Sequence, residues 1–135
     1  MAADRSTVQT VALVYGVVFL LIGVLGLVLT GTTMEADVAE APHLLGLFAV
    51  NLLHNLVHAA FGVWGLLAAR SWGGAKTYCQ LTGVIYGMLV PLAFIAPTTF
   101  GLMPIGGNDV WLHALLALPL LYFGFTAREG ARATI

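Results

Sequence analysis

The run Val11-Ala-Leu-Val-Tyr-Gly-Val-Val-Phe-Leu-Leu-Ile-Gly-Val-Leu-Gly-Leu-Val-Leu29 decides the fold. It carries no charge, and its length is close to the about 20 apolar residues that cross bilayer hydrocarbon as a helix. It sits inside an uncharged stretch, 6–34, and three more follow at 41–69, 77–108 and 110–127. The whole 135-residue chain has 8% charged and 60% hydrophobic residues. A soluble domain carries about 25% charged residues, so a water-exposed surface cannot be built here. Nucleic-acid binding is excluded as well, because it needs clustered Lys and Arg against phosphates. The single cysteine, Cys79, rules out an intramolecular disulfide and a CxxC metal motif.

These stretches predict one all-α transmembrane domain over 1–135, with helices near 8–30, 42–69, 78–96 and 110–127. Pro42 suits a first helical turn, Asn108 or Asp109 can cap the fourth helix, and Pro97 and Gly101 end the third. The first run is longer than a signal-peptide core and Asp4 weakens its basic flank, so it reads as a retained span. Short loops between successive antiparallel helices imply an up-down-up-down four-helix bundle.

Basic residues orient the chain. Arg5, Arg70, Lys76, Arg128 and Arg132 all fall on one side of this topology, which the positive-inside rule makes cytoplasmic. Glu35, Asp37, Glu40 and Asp109 fall on the other. Both termini are therefore expected in the cytoplasm, in a multi-pass protein of a plasma membrane. Trp72 and Tyr78 on one boundary and Trp111 on the other fit interfacial aromatic belts.

The halves of the chain look alike. Ala12-Leu-Val-Tyr15-Gly16 resembles Gly83-Val-Ile-Tyr86-Gly87, and His54…His58-Ala59 resembles Asp109…His113-Ala114. Two repeated helical hairpins would explain both pairs. Gly16, Gly23, Gly83 and Gly87 are the expected close-packing positions, since helices in lipid associate through small residues. The same faces would serve contacts in a homo-oligomer or a larger membrane complex.

The polar exception is Asn51-Leu-Leu-His54-Asn55-Leu-Val-His58. On one helix, Asn51, His54, Asn55 and His58 would share a face about 100° wide. Facing lipid they would be expensive, so this stripe should face the bundle interior or an interface. Asp109 and His113, one turn apart, supply a carboxylate that could fix which imidazole nitrogen is free. If helices 2 and 4 are level at their cytoplasmic ends, His54 and His113 lie at similar depth.

Asn51-Leu-Leu-His54-Asn55-Leu-Val-His58-Ala-Ala-Phe-Gly62, Gly65 and Asn108-Asp109-x-x-Leu112-His113 resemble a bacterial membrane family catalogued as domain of unknown function 4383. The likeness extends to the Tyr15-Gly16 pair and to Ala75-x-Thr-Tyr78. It implies a four-helix inner-membrane protein and implies no activity.

Three functions fit these residues. The first is a non-enzymatic structural or accessory component, in a bilayer, ordered by a buried His/Asn/Asp network. The second is a cofactor site: haem b held by two of His54, His58 and His113, or a transition metal held by these with Asp109. The third is a proton or small-solute pathway along the stripe. Hydrolysis is not supported, since Ser6 and Ser71 lie at helix ends without an acid–base pair and Cys79 is far from the histidines.

Overall fold

The computed structural model describes residues 5–130. Ser6 opens helix α1 (Thr7–Thr30) with a reciprocal cap. Its hydroxyl accepts from the Gln9 N–H, and the Gln9 side chain accepts from the Ser6 N–H. A 24-residue helix spans roughly 36 Å, enough for the hydrocarbon core. It stops at Gly31, whose φ of 71° suits a residue without Cβ.

Residues 42–51 depart from expectation. Pro42 does not start a helix; it leads into an antiparallel hairpin, β1 (His43–Leu44) and β2 (Phe48–Ala49), in which His43 pairs with Ala49. Leu45 and Gly46 turn the chain with φ of 54° and 72°, which breaks any helix through this segment. Helix α2 (Leu52–Ala68) therefore begins ten residues later than the expected 42, after Asn51 in extended conformation accepts from the His54 N–H at 2.9 Å.

Helix α3 (Trp72–Ile95) starts earlier than the expected 78. Ser71 caps it by accepting from the Gly74 N–H, so only residues 69–71 separate it from α2. It passes through Pro91 without ending, and α4 (Asp109–Thr126) likewise contains Pro119. The expected cap of α4 is absent. Asn108 makes no capping bond because its side-chain amide donates to the Leu47 carbonyl at 3.0 Å, on the β-hairpin. Asp109 is the first residue of the helix itself.

The architecture is an all-α bundle of four helices with the small hairpin at one end. Three helices, α1, α3 and α4, are long and apolar enough to cross a membrane, while α2 is a shorter apolar helix. Large apolar side chains face outward on every helix, among them Leu21, Val63, Ile85 and Leu118. Such a continuous exposed apolar surface suits lipid rather than water. Arg5, Arg70, Lys76 and Arg128 cluster at the end where α1 begins and α4 finishes; Arg132 lies outside the described residues.

α1 packs mainly on α2, and α3 on α4, so the bundle is two docked helical hairpins. Glycine makes both contacts close. A Cβ on Gly23 would stand 2.6 Å from the Ala59 nitrogen, and one on Gly83 would stand 2.9 Å from the Leu121 nitrogen. Gly16 meets α2 in the same way. Gly87 does not: the nearest side-chain atoms would be 3.8 Å away, so the two matching Tyr-Gly pairs are not equivalent in packing. Between the hairpins, the Tyr15 hydroxyl donates to the Leu116 carbonyl at 2.9 Å.

Apolar side chains fill the core in layers. Val8, Ala12, Tyr78, Cys79 and Leu120 pack at the end bearing the termini. Phe19 and Tyr86, with Tyr15 and Phe61 against them, form an aromatic layer in the middle. Ala93, Ile105 and Val110 pack at the hairpin end. The buried histidines lie just beyond the aromatic layer, beside Phe19 and Tyr86.

Candidate functional site: a buried His/Asp chamber

The expected stripe divides on folding. Asn51 is not on the helix but caps it, and its amide donates to the Leu102 carbonyl at 2.9 Å, joining α2 to the loop before α4. Asn55 turns toward α1, where its amide donates to the Thr30 hydroxyl at 3.1 Å and Thr30 in turn donates to the Gly26 carbonyl. Gly26 is glycine because the Asn55 side chain occupies the space a Cβ would need. His54 and His58 face the other hairpin.

α2 and α4 run in the same direction, and both present their first turns at the hairpin end. That brings His54 and His113 together, with ring centroids 6.3 Å apart. His58 is one turn further along α2, its ring 4.7 Å from that of His54 and stacked on Phe19. His113 meets the edge or face of Tyr86 at 5.2 Å. The aromatic layer is thus the floor of the site.

Asp109 closes the cluster. Its Oδ2 stands 3.9 Å from His54 Nδ1, and no imidazole of α4 comes nearer. The expected Asp109–His113 pair is therefore replaced by one across the bundle. At 3.9 Å this is too long for a hydrogen bond. A carboxylate at the first turn of α4 does gain from the positive end of the helix dipole. All four side chains, His54, His58, Asp109 and His113, are almost completely buried.

Other buried atoms, among them Asn55 Oδ1, Tyr78 Oη and Thr82 Oγ1, lack a partner singly, but here four such atoms belong to neighbouring side chains. His54 Nδ1, His58 Nδ1, His113 Nδ1 and Asp109 Oδ2 are buried and make no hydrogen bond. Buried polar atoms are nearly always paired, since an unpaired one forfeits its hydration without compensation. One ligand atom from each of His54, Asp109 and His113 lies within 4.8 Å of the others, a group that could hold a metal ion; His58 is outside it. A cavity of about 70 Å³ opens among His54, His58, His113, Tyr86, Met103 and Ile105. A larger cleft, about 220 Å³, lies at the opposite end beside Trp72 and Arg128 and touches none of these histidines.

Sequence reasoning missed three parts of the site. The 102–105 loop roofs it and Phe19 with Tyr86 floors it, and both depend on contacts between distant segments. The third, Asn51 as a cap, had a local signal: Asn three residues before His54 at the start of an apolar helix.

Comparisons with curated proteins and with solved structures find no match. The sequence profile of the family described as Domain of unknown function (DUF4383) matches residues 9–126, which takes in all four helices apart from the first two residues of α1, and every residue of the chamber. The chain belongs to that family.

Proposed function

We propose that this is a non-enzymatic, multi-pass protein of the bacterial inner membrane whose working part is a binding site, the His54/His58/Asp109/His113 chamber. The observation that carries this reading is the gathering of three unpaired imidazoles around one small cavity, with the unpaired Asp109 Oδ2 3.9 Å from the nearest of them. A network serving only to hold the bundle would satisfy its own members. Here the bundle is already held by glycine contacts and by Tyr15 and Asn55, while the chamber contributes no hydrogen bond between its helices.

The alternatives are weaker on specific grounds. A cavity of about 70 Å³ admits a few water-sized groups, at roughly 10–15 Å³ of such volume each, and is far too small for a haem macrocycle. The Phe19, Phe61 and Tyr86 layer beneath His58 weighs against a polar pathway through the bundle. The placement of Lys and Arg supports cytoplasmic termini and a chamber near the opposite face.

The test is thermal unfolding in mild detergent with chelator present. His113→Leu and Asp109→Asn, singly and combined with His54→Leu, are expected to leave the melting temperature unchanged or to raise it. Unpaired buried polar groups are retained for use at the expense of stability. A fall of several degrees in all of them would assign the cluster to scaffolding and overturn the binding reading.

A further inference from the structure

We propose that the chamber binds one divalent first-row transition-metal ion through His54, Asp109 and His113. This rests on the binding reading above and names its ligand.

The donor set comes first. Two imidazoles and one carboxylate form a borderline N/O site of the kind that holds zinc, cobalt, nickel or iron(II). Calcium and magnesium prefer oxygen-rich shells of six or more ligands, which a single carboxylate among histidines does not offer. The lone thiol, Cys79, lies in the packed layer at the other end of the bundle, so no thiolate competes.

Geometry agrees. The three donor atoms already lie within 4.8 Å of one another, and the His54–Asp109 pair stands at 3.9 Å. Bonds of about 2.0–2.1 Å in a tetrahedral shell separate ligand atoms by roughly 3.3 Å. Closing that difference needs small side-chain rotations and no helix movement. Both histidine Nδ1 atoms and Asp109 Oδ2 are buried without a partner, so no existing hydrogen bond must break. The adjoining cavity leaves a fourth position for water.

Electrostatics favour a cation rather than an anion. Among the described residues no Lys or Arg lies at this end, so no permanent positive charge stands beside Asp109, which faces only the imidazoles of His54 and His113. Exposed Glu35, Asp37 and Glu40 on the same side add a negative approach surface. His58 belongs to the cavity wall and not to the ligand set.

The experiment uses the full chain, purified through a histidine-free tag, stripped with chelator and titrated with Co²⁺ and then Zn²⁺. Expected is one Co²⁺ per chain with visible d–d absorption, displaced by one Zn²⁺. Asp109→Asn and His113→Gln should each weaken binding at least tenfold, while the loop variant His43→Gln retains it. X-ray absorption of the wild-type zinc form should show two imidazoles in an N/O shell, a readout that needs no variant. Absence of stoichiometric binding, equal binding by Asp109→Asn and His113→Gln, or a shell of three or more imidazoles would each overturn the assignment. If the apolar variants keep their stability while no metal binds, the metal inference alone fails and the binding reading stands.

Discussion

His54 Nδ1 and Asp109 Oδ2 stand 3.9 Å apart across the bundle, one near the start of α2 and the other at the start of α4. Their meeting depends on the β-hairpin. Because residues 43–49 turn back on themselves, α2 begins at Leu52 and His54 falls in its first turn. A helix begun at 42 would have buried His54 three turns down, roughly 15 Å deeper along the axis. The hairpin thus sets the level at which the two polar first turns face each other.

Asn51 should be the most sensitive of the residues outside the chamber. It caps α2 and ties it to Leu102, so Asn51→Ala loses both bonds. Loss of the cap alone costs about 0.5–2 kcal/mol. Asn51→Asp keeps the acceptor and loses the donor. Thermal unfolding in mild detergent should rank wild type above Asn51→Asp, and Asn51→Asp above Asn51→Ala.

The two glycines of the Gly83-x-x-x-Gly87 pattern should respond in opposite ways. Gly83→Ala drives a methyl to 2.9 Å from the Leu121 nitrogen and is expected to destabilise by about 1–3 kcal/mol. Gly87→Ala meets nothing closer than 3.8 Å and should be neutral, or stabilising by up to about 1 kcal/mol through helix propensity. Similar losses in both variants would show that the α3–α4 contact is misdescribed.

Tyr15→Phe removes the bond from α1 to the Leu116 carbonyl on α4 and leaves the ring beside Phe19 in place. Hydrogen bonds within membrane bundles average about 0.6 kcal/mol and reach about 1.7. The variant should therefore melt slightly lower, and Thr30→Val, which strands the Asn55 amide, should show a comparable loss. Unchanged melting in both would remove these bonds from the account of how the bundle holds.

Orientation is open to direct labelling in intact cells. In a background with Cys79 replaced, Asp37→Cys should react with a membrane-impermeant maleimide and Gly73→Cys should not. Both positions are exposed, so accessibility depends on side alone. The reverse result would place the termini outside.

Much of the fold was legible because lipid leaves few choices. With 8% charged residues, the uncharged runs read as helices suited to lipid, and the spacing of charges marked all four, three of them long and apolar enough to cross a membrane. The boundaries that slipped did so where local chemistry competes with hydropathy. Residues 42–51 are as apolar as a helix and contain histidine, but Leu45 and Gly46 with positive φ, together with the Asn51 cap, make them a hairpin. In the other direction, the Ser71 cap extends α3 back to Trp72, through a Gly-Gly pair that reads as loop. Family membership was legible from the same polar residues that stand out against the apolar background.

By itself the sequence determined that this chain forms an all-α membrane-type bundle, which residues are polar within it, and which end carries the positive charge. Each follows from short-range properties: hydropathy over one span, helical spacing and loop composition. Tertiary structure alone decided how the polar residues divide. Asn51 went to a cap, Asn55 to α1, and His54, Asp109 and His113 to a common chamber while His58 stayed at its wall. Those assignments depend on the axial level and rotation of one helix against another. Glycine contacts and a ten-residue hairpin segment set that level, and no periodicity within a single helix encodes it.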